Sequence, residues 1–124
     1  MSRGKVTQLG AAIVYFFENY LPAQRGMSQH TIHSYRDAIV MLLRFTAQEC
    51  QRGIEMLDLV DLDAPRVERF LRHLQADRNN GIATRNLRLA AIHTLARFMS
   101  GQHPDRLGTW QAILVVPFKR GPQQ

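Results

Sequence analysis

Residues 81–101 read Gly-Ile-Ala-Thr-Arg-Asn-Leu-Arg-Leu-Ala-Ala-Ile-His-Thr-Leu-Ala-Arg-Phe-Met-Ser-Gly, and the reading of the whole chain turns on them. At helical spacing Leu87, Ala91, Leu95 and Phe98 fall on one stripe, and Leu89, Ile92, Ala96 and Met99 widen it past half the circumference. Asn86, His93, Thr94 and Arg97 are left as the polar strip. A helix this apolar belongs inside a domain, with neighbours on several sides. Its leading turns differ, because Thr84, Arg85 and Arg88 crowd the end where the helix dipole already favours an anion. The expectation is a core rod whose cationic tip meets a phosphate backbone.

Working outward from this rod, Asn79-Asn80-Gly81 breaks the chain before it. A preceding helix starts at Asp63 as N-cap, with Pro65 in the first turn, where a missing N–H costs little. Val67, Phe70, Leu71 and Leu74 face inward on it, and Arg66, Arg69, Arg72 and His73 face out. From Gln51 to Asp63 the pattern predicts an ordered connector that tucks Leu57, Leu59, Val60 and Leu62 into the core. Ser28 caps a long helix reaching about Cys50, with Ile32, Tyr35, Ile39, Leu42 and Thr46 buried. His30, His33, Asp37, Arg44 and Gln48 lie on its opposite face, and Arg36 lies at the border. Thr7 caps a first helix carrying Leu9, Ile13, Phe16, Phe17 and Tyr20, which Pro22 stops. On the far side of the rod, Leu107, Trp110, Ile113 and Leu114 fit a short fifth helix, and Val115 to Pro122 reads as an extended arm. With no paired-strand signal, the fold class is all-α.

Net charge is +6, and its distribution matters more than its sum. Residues 78–124 hold seven Lys/Arg against Asp105 alone, whereas residues 54–77 are acidic. Clustered positive charge suits nucleic acid or an anionic membrane face, and an ordinary solvated basic surface also accounts for it. No apolar run approaches the ~18 residues of a membrane span, and the N-terminus lacks the apolar core of a secretory signal. Cys50 is the lone cysteine, which fits a reducing cytoplasm. His30 and His33 have metal-ligand spacing but no third ligand, so neither a metal nor another cofactor is expected. No nucleophile–base pair marks a stand-alone enzyme or a small-molecule substrate site.

The order of elements, with Ser-x-x-Thr-x-x-x-Tyr at Ser28, Thr31 and Tyr35 followed by Arg36, resembles the N-terminal core-binding domain of tyrosine recombinases, the phage-integrase family. The Ala-Thr-x-Asn-x-Arg-Leu-x-Ala run at Ala83, Thr84, Asn86, Arg88, Leu89 and Ala91, with Phe98 beyond, carries the rest of the resemblance. It covers roughly residues 7 to 120. It implies a SAM-like orthogonal bundle of four to five helices in residues 1–115, with 116–124 beginning a linker to an absent catalytic domain. It also implies that the second and fourth helices face the major groove of duplex DNA, beside other recombinase protomers, in the cytoplasm at the nucleoid. The family's tyrosine nucleophile, arginines, lysine and His-x-x-Arg motif belong to the catalytic domain, so none of that set is expected here. Leu87 departs from the family, standing where arginine is frequent.

The candidate DNA-binding residues are therefore Gln29, His30, Thr31, His33 and Arg36 on the second helix. Thr84, Arg85, Asn86 and Arg88 follow on the fourth, and Lys119 and Arg120 on the arm. Arg85 and Arg88 suit phosphate clamps or surface caps on a core edge, and Thr84 suits a phosphate donor or a hydroxyl bonded to its own backbone. Lys119 and Arg120 suit backbone contacts or a basic tail. Tyr35, Trp110 and Phe118 read as packing residues. Two other functions remain open: a stand-alone helical DNA-binding regulator, and a helical protein-interaction module using the Leu57–Leu62 connector.

Overall fold

The computed structural model describes residues 5–121, so the outer ends of the expected domain and linker lie outside the described residues. The architecture is all-α, with α1 (Gln8–Tyr15), α2 (Gln29–Cys50), α3 (Ala64–Ala76), α4 (Ile82–Gln102) and α5 (Leu107–Leu114). Caps set the starts. Thr7 accepts from the Gly10 N–H, Ser28 from Thr31 and Asp63 from Arg66, each satisfying a donor that the first turn leaves unpaired. The Thr7 hydroxyl also donates to the Leu57 carbonyl at 2.7 Å, tying α1 to a connector fifty residues ahead.

Past Tyr15 the chain widens into a π-turn, Phe16–Tyr20, closed by Leu21 N–H donating to the Phe16 carbonyl at 2.9 Å. The wider turn swings aromatic rings round Phe98 of α4, with centroids 6.1 Å away for Tyr15, 5.3 Å for Phe16 and 4.9 Å for Tyr20. Helical spacing predicts Phe16 and Tyr20 as inward residues, but neither the part of Tyr15 nor the change of pitch that assembles the cluster.

The connector is ordered. Gln51 ends α2 in the left-handed region (φ 54°), and short 3-10 turns follow at Ile54–Met56 and Leu59–Asp61. Asp58 and Asp61 cap the second turn, and Asp58 also accepts from the Leu9 N–H. Leu57, Leu59 and Leu62 are buried, whereas Val60 is turned out to solvent, against expectation. The burial removes these leucines from any apolar docking patch on the connector.

Around α4 the core closes. Leu42, Leu62, Val67, Ile92, Leu95, Ala96, Met99, Trp110 and Ile113 surround an apolar void of about 10 Å³, so α2, α3, α4 and α5 meet there at near-solid packing. Trp110 is buried, its indole N–H donating to the His103 carbonyl at 3.0 Å, as a packing residue should. The expected polar strip of α4 needs correction, because His93 and Thr94 are buried. Leu87, placed on the apolar stripe by periodicity, is 47% exposed instead. The segment after α5 covers the His93 side, so the buried arc is rotated toward it.

Candidate nucleic-acid interface

The start of α2 presents Gln29, His30, His33 and Arg36 to solvent. Thr31 is half-buried and its hydroxyl pairs with Ser28 at 3.0 Å, so its polar atom already serves the cap. Arg36 lies over the Phe17 ring, 5.4 Å from its centroid. That seat over an aromatic face favours the cation electrostatically, and no carboxylate lies within 4.0 Å of it among the described residues.

On α4 the predicted residues divide. Thr84 is exposed. Arg88 is half-buried and makes no hydrogen bond or ion pair among the described residues, with its Nε shielded and unpartnered. Arg88, Ile92, Leu95 and Met99 follow i, i+4, i+7 and i+11, and the last three line the apolar void at the centre of the bundle, so Arg88 lies on the helix face that leads out of the core.

Arg85 departs from the phosphate-clamp expectation. It is 7% exposed and its Nη1 donates to the Asn86 side-chain oxygen (2.9 Å) and the Pro117 carbonyl (3.0 Å). Burial lowers its pKa from the ordinary guanidinium value. Asn86 is likewise committed, pairing with both main-chain groups of Lys119. Periodicity cannot show this, because the arm that occupies both side chains lies some thirty residues away in sequence.

The arm itself is seated. Val116 is buried, its carbonyl meets His93 Nε2 at 3.1 Å, and the Phe118 ring stands edge-on to His93 at 5.2 Å. Lys119 is exposed, with its Nζ donating to Gln75 at 2.8 Å, and Arg120 is exposed. The basic residues of the arm thus start from a fixed base.

Charge is sorted across the fold. Glu49 accepts from Arg66 and Arg69, and those contacts, the Arg69 hydrogen bond foremost, hold its carboxyl below the ordinary value. Asp61 takes Arg52. These pairs lie on α3, the connector and the end of α2. Arg36, Arg44, Arg78, Arg88, Arg97, Lys119 and Arg120 have no carboxylate within 4.0 Å among the described residues, and neither do Arg72 of α3, Arg25 and Arg106. The sequence reading did not single out Arg44 and Arg78, which line a cleft of about 190 Å³ with Gln48 and His73. For Arg44 the signal was there, since it shares the outward face of α2 with His33.

His-x-x-Arg spacing does occur, at His33–Arg36 and His103–Arg106, which corrects the expectation that the chain lacks it. No hydrogen bond among the described residues joins a tyrosine hydroxyl to either pair, and the rings of Tyr15 and Tyr20 are packed around Phe98. Nor do three His, Cys, Asp or Glu side chains gather as metal ligands among the described residues. No helix there is long and apolar enough to cross a membrane.

A family model described as "Phage integrase, N-terminal SAM-like domain" matches residues 14–103, from the end of α1 to the end of α4. The chain belongs to the phage integrase N-terminal SAM-like domain family. Two Sinorhizobium fredii proteins named as integrase/recombinases are similar to it. One, y4rD, is 39% identical over 105 residues, covering 85% of this chain and 37% of its own length. The other, y4rC, is 34% identical over 116 residues, covering 94% and 35%. The chain therefore spans about a third of the length of these curated relatives. No solved structure matches it. What the family model matches is the N-terminal SAM-like domain of the integrase family.

Proposed function

We propose that this SAM-like domain is the DNA-binding core-binding module of a site-specific tyrosine recombinase. It grips duplex DNA at the recombination site beside other recombinase protomers, and the strand chemistry belongs to a catalytic domain reached through the arm. The supporting observation is the sorting of charge: carboxylates neutralise Arg52 of the connector and Arg66 and Arg69 of α3, and leave Arg72 and the arginines of α2, α4 and the arm without one. A surface of that kind gains affinity by releasing the counterions condensed on DNA.

On this reading Arg36, Arg88, Lys119 and Arg120 contact phosphates. Gln29, His30 and His33 reach base edges, and Thr84 donates a hydroxyl to the backbone. Arg85 and Asn86, both bonded to the arm, are not phosphate contacts on this reading. The long connector between α2 and α3 weighs against a helix-turn-helix regulator, whose two helices are joined by a short turn.

Fluorescence anisotropy with a labelled duplex tests the proposal. Binding is expected to fall steeply between about 50 and 200 mM salt. Absence of binding at the lower salt, or binding indifferent to salt, overturns it.

A further inference from the structure

We propose that Asn86, braced by Arg85, is a positioning residue: it latches main chain 116–119 to α4 and so sets where, and in which direction, the polypeptide leaves the bundle. The inference stands apart from DNA binding. It rests on a set of bonds that neither the family match nor the recombinase reading assigns.

The Asn86 side-chain N–H donates to the Lys119 carbonyl at 2.8 Å, and its oxygen accepts from the Lys119 N–H at 3.0 Å. One carboxamide thus pairs with both groups of one residue, as a neighbouring strand would. It reads backbone, not side chain, so the register of the arm is set without demanding lysine there. The same oxygen accepts from Arg85 Nη1, and this second donor fixes which way the amide faces, since the flipped amide would set N–H against N–H. Arg85 also takes the carbonyl of Pro117, the one hydrogen-bonding group that proline's backbone offers. His93 takes the carbonyl of Val116. Three carbonyls and an amide are satisfied along four residues that lie outside any helix.

The arrangement is costly for what it buries. Val116 is the only side chain of the four that enters the core. Against it stand an Arg85 guanidinium withdrawn from water and an Arg85 Nε–H left without a partner. A helical bundle has cheaper ways to cover one valine. The outlay makes sense if the direction of the arm is itself what is held.

Amide exchange followed by NMR on the full chain tests the latch, because its bonds predict an uneven pattern. Lys119 N–H should be protected by Asn86, and Val116 N–H by the Ile113 carbonyl at 3.1 Å. Phe118 N–H has no hydrogen bond among the described residues and should exchange freely. Asn86→Ala should speed exchange at Lys119 by about tenfold or more while leaving Val116 unchanged, as local opening does and global unfolding does not. Trypsin supplies a second readout. Cleavage after Lys119 requires residues 116–119 to enter the protease extended, so Asn86→Ala should accelerate it. Should Asn86→Ala fail to fold, the wild-type pattern decides: Lys119 exchanging as fast as Phe118 overturns the latch. Unaltered Lys119 exchange and unaltered cleavage in a folded Asn86→Ala chain overturn it equally.

Discussion

Arg85 and Arg88 sit less than one helical turn apart and carry the same charge, yet their surroundings give them different work. Arg88 is half-buried with no carboxylate within 4.0 Å among the described residues, while Arg85 is enclosed by the arm and bonded to a carbonyl. We expect Arg88→Ala to weaken duplex binding similarly across sequences and to reduce the salt slope by about one, the signature of a lost phosphate contact. Arg85→Met should leave that slope near wild type and raise exchange at Lys119 instead. Titration of binding at several salt concentrations separates the two. Val116 and Ile113 carbonyls and Arg97 surround His93, and burial, the largest influence, holds its pKa below the ordinary imidazole value. The unfolded chain therefore binds that proton more readily, so stability is whole above about pH 6.5 and is lost as pH falls below it. Thermal melts from pH 7.5 to 5 should show Tm declining, and His93→Gln should flatten that decline. The Glu49 contribution is lost only in a lower window, as pH falls below its ordinary value of 4.5.

Helix α4 behaves as the axis of the bundle because every other helix needs it. Phe98 gathers Tyr15, Phe16 and Tyr20 from the first helix and its π-turn, and it is itself 4% exposed. Truncation there removes the contact and leaves a void, so Phe98→Ala should destabilise the domain by about 3–5 kcal/mol. Denaturant melts followed by circular dichroism check this, and a loss under 1 kcal/mol would show that the cluster is not structural. The connector was readable in its leucines but not in Val60. Alternation is a weak guide where 3-10 turns, with three residues per turn, replace a regular period. Leu87 shows the same limit on α4. At this position the apolar residue faces solvent beside the cationic tip, so Leu87→Arg should fold normally and bind duplex more tightly, with a steeper salt dependence.

Over the whole molecule, the salt response measures how many cations act together. If Arg36, Arg88, Lys119 and Arg120 each neutralise one phosphate, the slope of log K against log salt should be about −3.6, at roughly 0.9 per phosphate. A slope near −1 would mean that the exposed cations do not share one DNA face.

Helix positions, caps and core residues could be read from the linear chain because each depends on neighbours three or four residues away. Thr7, Ser28 and Asp63 cap where their spacing said they would, and Val67, Phe70, Leu71 and Leu74 are buried as their period required. The all-α class followed from those local rules. The fates of Arg85, Asn86 and His93 were not local. They depended on where residues 116–119 come to lie after the chain has turned through α5, and a hydrogen bond spanning thirty-two or thirty-three positions leaves no periodic trace in sequence. Folding alone brought the arm to α4, and with it the difference between an arginine that can meet a phosphate and one that holds a carbonyl.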